Sequence, residues 1–70
     1  MNRATAESLM TVYQRLSDSL NEATALVGSI RDAEEQQQLR RPLGDMMQSV
    51  WLDLMRPIIR AFPDLDPDRK

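Results

Sequence analysis

From Thr5 to Ile30 the apolar residues recur at Ala6, Leu9, Tyr13, Leu16, Leu20, Ala23, Val27 and Ile30, in alternating steps of three and four. A strand repeats every second residue and cannot carry this pattern, whereas an α-helix presents it as one narrow stripe. The spacing predicts a helix over about residues 5–29, with a stripe one coiled-coil seam wide, flanked by Val12 and Leu26. Asn2 or Thr5 can cap its start by accepting from first-turn amides, and Glu7 suits the positive end of the helix dipole.

Beyond Ile30 the seam lapses, because the next heptad positions are Glu34, Gln37 and Arg41. Gly28 and Ser29 weaken the helix, and Asp32 followed by Glu35 forms a second capping pair. A tight turn is expected at residues 29–32. Reflecting the chain about residue 31 sets Ala23 beside Leu39, Leu20 near Leu43, Leu16 near Met46, Val12 near Val50 and Leu9 near Leu54. Apolar meets apolar along the whole length, as an antiparallel helical hairpin requires. A competing layout continues the first helix through residues 32–41 and turns at Arg41-Pro42-Leu43-Gly44, since proline disfavours a helical residue before it. Its arms of about 36 and 18 residues would be unequal, about 54 and 27 Å long at helical rise.

The second helix is expected over about residues 32–62, completing a hairpin of residues 1–62. Pro42, Pro57 or both should kink it, because proline removes one donor and crowds the carbonyl four residues back, Asp53 in the case of Pro57. Pro63 ends it after Phe62, and the acidic residues 63–70 are expected as an extended, mobile tail. Within this arm Met46, Met47, Val50, Trp51, Leu52, Leu54, Met55, Ile58, Ile59 and Phe62 would cover roughly two thirds of an ideal wheel. Asp45, Ser49, Asp53, Arg56 and Arg60 hold the polar edge. One neighbouring helix cannot cover so wide an arc, so the surplus must meet another molecule.

Composition narrows what that molecule is for. Among 70 residues there is no cysteine and no histidine, which excludes disulfides, thiolate nucleophiles, imidazole bases and zinc sites built on those ligands. A chain this short buries only about 60% of its unfolded surface, and with the usual staples absent oligomerisation is the remaining reinforcement. The net charge of -2 provides no global attraction to nucleic acid or anionic lipid. Asp18 with Glu22, and Asp45 with Asp53, could be imagined as acid/base or metal pairs, and both read as solvated helix edges. Gly28 and Gly44 stand apart and form no phosphate loop. No cofactor, metal or catalytic residue is expected.

The expected function is therefore a non-enzymatic protein-interaction module: an all-α hairpin that pairs into a homodimeric four-helix bundle and docks on a second protein as adaptor, inhibitor or regulator. Met47, Trp51, Leu52, Met55, Ile59 and Phe62 are the expected dimer or partner interface, rimmed by Arg40, Arg41, Arg56 and Arg60, since tryptophan, arginine and methionine favour binding surfaces. Two alternatives use the same residues differently. A nucleic-acid-binding hairpin dimer would rely on Arg40, Arg41, Arg56 and Arg60, although Asp45 and Asp53 interrupt that field. A structural subunit or secretion-type chaperone would keep the surplus face covered by one cognate protein. No signal-peptide core or membrane-spanning run is present, so a cytoplasmic location is expected.

Overall fold

Asn2 starts the first helix, its Oδ1 accepting from the Thr5 backbone N–H at 2.8 Å, and α1 then runs Arg3–Val27. The structure, a computed structural model, describes residues 1–67, every element of which is helical or turn. Past Val27 the backbone closes two short turns, Ser29 N–H to Leu26 O and Ile30 N–H to Val27 O, each at 3.1 Å. Asp32 opens α2 (Ala33–Ser49), accepting from the amides of Glu34 at 3.0 Å and Glu35 at 3.4 Å. Gln36 Nε2 reaches back to Gly28 O at 2.9 Å and braces the loop between the arms.

The chain is thus an antiparallel helical hairpin turning at residues 28–32, and the turn at 41–44 does not form, because Arg41 to Gly44 lie inside α2. Pro42 does not interrupt the helix; the interruption comes later. Val50–Met55 forms a π turn, in which the Arg56 N–H donates to the Trp51 carbonyl five residues back, and α3 (Arg56–Ala61) continues the arm with Pro57 in its first turn. The wider turn admits one extra residue just where proline would otherwise crowd the carbonyl behind it.

Among the described residues six side chains form the buried core: Ala6, Met10 and Leu20 from α1, and Val50, Met55 and Ile58 from the far half of the second arm. Leu9, Tyr13, Leu43, Met47, Ile59, Phe62 and Leu65 pack around them half-buried. The seam on α1 differs from the expected one. Met10 and Ser17 turn inward, Met10 buried and Ser17 half-buried, whereas Leu16 is exposed. Leu65 and Pro67 approach α1 on its Met10 side, which draws the inward line toward that flank.

From residue 63 the chain departs from the expected extended tail. Phe62 leaves the helical region, at φ -135° and ψ 79°, as its position before Pro63 favours, but Pro63–Leu65 forms a 3-10 turn and Leu65 packs on the core. Residues 68–70, the rest of that tail, lie outside the described residues. Arg3 bonds to Glu7 at 3.1 Å and to Asp64, and its guanidinium lies 5.9 Å from the centre of the Phe62 ring, so the start of α1 and the end of the chain are clasped together.

Candidate interaction surface

Two helices side by side make one layer, and the molecule measures 46 × 22 × 16 Å. A single layer has an edge where the arms meet and two open faces. Pairing along the edge buries only the residues pointing across it, so apolar side chains aimed up or down stay in solvent.

The π turn decides which residues those are. Along the second arm the inward positions are Leu43, Met47, Val50, Met55, Ile58 and Phe62, so one step of five residues stands among steps of three and four. That step spans the π turn. An uninterrupted helix at about 100° per residue would carry Leu54 inward and put Met55, Ile59 and Phe62 outside, which is the arrangement expected from spacing alone. The extra residue shifts the downstream phase by one position. Met55 is 4% exposed, while Ile59 and Phe62 are half-buried against the hairpin's own core.

The expected interface of Met47, Trp51, Leu52, Met55, Ile59 and Phe62 is therefore not one exposed face. Met55 is core, and Met47, Ile59 and Phe62 are largely covered within the single chain. Trp51, at 38% exposure, and Leu52 remain outside. Trp51 lines a cavity of about 280 Å³ with Gln14, Ser17, Met47, Val50, Met55 and Pro67. A second cavity, of about 500 Å³, adjoins it through Gln14 and Pro67 and is lined also by Glu7, Met10, Thr11, Arg15, Asp18 and Leu65. Together they form a groove along one face of the hairpin.

The opposite face carries residues that the sequence reading did not select. On α1, Gln14 and Ser17 lie to one side of the inward line; Val12, Leu16 and Leu26 lie to the other. On the second arm, Met47 and Trp51 lie to one side, and Leu39, Met46 and Leu54 to the other. Since Gln14, Ser17, Met47 and Trp51 surround one groove, the six remaining residues share the reverse face. All six are exposed, with Leu26 at 71%, Val12 and Met46 at 52% and Leu16 at 37%. Their signal is present in the spacing: Leu39 to Met46 is one heptad, and Met46 to Leu54 is one heptad plus the inserted residue.

Arg40, Arg41, Arg56 and Arg60 are all exposed, as are Asp45 and Asp53 on the same arm. Asp18 and Glu22 are exposed as well, Asp18 accepting from Gln14 Nε2 at 3.4 Å. Among the described residues no group of three or more acidic, histidine or cysteine side chains is gathered to hold a metal ion. Nor is any helix among them long and apolar enough to cross a membrane. The Arg3 guanidinium titrates above its ordinary value, raised chiefly by the hydrogen bond and charge of Asp64, with Glu7 adding less. It belongs to the clasp. Comparison with protein families, characterised proteins and solved structures finds no match to this chain.

Proposed function

We propose that this chain is a small non-enzymatic protein-interaction module, which pairs with a second copy into a four-helix bundle and docks on another protein as an adaptor, inhibitor or regulator. One observation carries the reading: the hairpin exposes more surface than its mass warrants. A compact monomer of its mass, 8.1 kDa, exposes about 4,500 Å². This chain exposes 5342 Å². The excess of about 850 Å² is close to the ~800 Å² that each partner contributes to an interface of standard size.

The residue types on both faces suit protein contact. Exposed leucines, methionines and a tryptophan gain by leaving water, at about 25 cal/mol per Å² of apolar area covered. A second hairpin would supply the missing layer of a two-layer domain. The test is the mass in solution by light scattering across a dilution series. Twice 8.1 kDa at high concentration, falling on dilution, is expected. A compact single-chain mass at every concentration, with tryptophan emission already shifted to the blue, overturns the dimer and removes the reason to seek a partner.

A further inference from the structure

We propose that a second copy of this chain occupies the face formed by Val12, Leu16, Leu26, Leu39, Met46 and Leu54, leaving the Trp51 groove on the reverse face open to another protein. This assignment rests on the reading of the chain as a self-associating module and adds which face does which work.

The face is built to match itself. Each arm contributes a column of three large apolar side chains, so a two-fold rotation lays one pair of columns on its equivalent. All six residues are uncharged, and covering them strands no ionised group away from water. Taken over the whole molecule, the area in excess of a compact monomer is about 850 Å², close to what one side of a standard interface requires. The reverse face lacks this uncharged character, since Glu7, Arg15 and Asp18 line it. It is concave, Gln14 and Ser17 form part of its wall, and the chain's own Leu65 and Pro67 lie along it. A groove of that shape admits an inserted side chain or segment better than a copy of itself.

The chain has no cysteine, so one introduced thiol reports on its own position. Met46→Cys and Trp51→Cys are compared by their rates of alkylation at high protein concentration and after dilution, with the mass followed by light scattering. The thiol at position 46 is expected to react about tenfold or more slowly in the concentrated sample and to speed up on dilution, as mass action requires. The thiol at position 51 is expected to react at the same rate in both. Leu16→Glu with Met46→Glu should also reduce the mass to that of one chain, whereas Trp51→Ala should leave the dimer intact. A protected thiol at 51 with an open one at 46, in a sample that still dimerises, overturns the face assignment and leaves the self-association reading standing. Single-chain mass for the unaltered protein overturns both.

Discussion

Met55 shows how one residue's placement changes the apparent function of its neighbours. Read on an ideal wheel it belongs with Trp51 and Ile59 on an outward face; in the folded chain it is core, and the outward position falls to Leu54. Gly44 tests the helix at a site where nothing else interferes, since a Cβ added there meets no atom within 4 Å. It lies inside α2 with no positive φ, so Gly44→Ala should stabilise the fold by about 0.5–1 kcal/mol through backbone entropy alone. A raised midpoint in urea with an unchanged slope checks this. Arg3 is different, being tied to Asp64, Glu7 and Phe62 at the surface. Because Asp64 raises the titration of the guanidinium above its ordinary range, Arg3 stays a cation at every ordinary pH, and on its side the clasp is lost only under strongly alkaline conditions. Arg3→Ala should scarcely move the melting temperature but should speed hydrogen exchange at the Leu65 and Asp66 amides, which now donate to Phe62 and Pro63. Unchanged exchange there would show that Leu65 packing alone holds the turn.

At the scale of elements, the two prolines in the second arm have different consequences. Pro42 sits in the interior of α2, where it removes a donor and crowds a carbonyl without any change of helix type. Pro57 lies in the first turn of α3, directly after a π turn that has already released the i→i−4 pattern. Replacing Pro42 with alanine should therefore stabilise the chain by about 1–3 kcal/mol, and replacing Pro57 should do distinctly less. Thermal melts of the two variants decide it. Equal gains would mean that the π turn does not accommodate the proline, and that its cause lies in core packing, which selects Met55 and Ile58 over Leu54.

The whole molecule is thin and long. Its radius of gyration is 14.7 Å, whereas a compact domain of this length has about 11 Å. Apart from Leu20, its buried residues gather where the start of α1 meets the end of the second arm, while α2 contributes no fully buried side chain at all. Leu26 and Leu39, near the turn, therefore lie open. A second layer on that face would cover the part of the hairpin that its own core leaves least supported, so stability and association should be lost together in dilution experiments.

Much of this was legible in the residues themselves. Alternating steps of three and four from Ala6 to Ile30 can only be a helix, and Asp32 with the polar run after Ile30 marks where the chain reverses. Local chemistry suffices for these, because caps and periodicity act within a few residues. The excess of apolar side chains over what one hairpin can cover was likewise visible in the composition of residues 46–62. Which of them stay outside was not. That depended on one inserted residue at Val50–Met55, a small change of backbone that turns everything after it, and on Leu65 returning to α1 from the far end of the chain. Wheel arithmetic assumes a constant turn, whereas packing between distant segments selects where the turn changes, so the face left in water is a property of the tertiary structure alone.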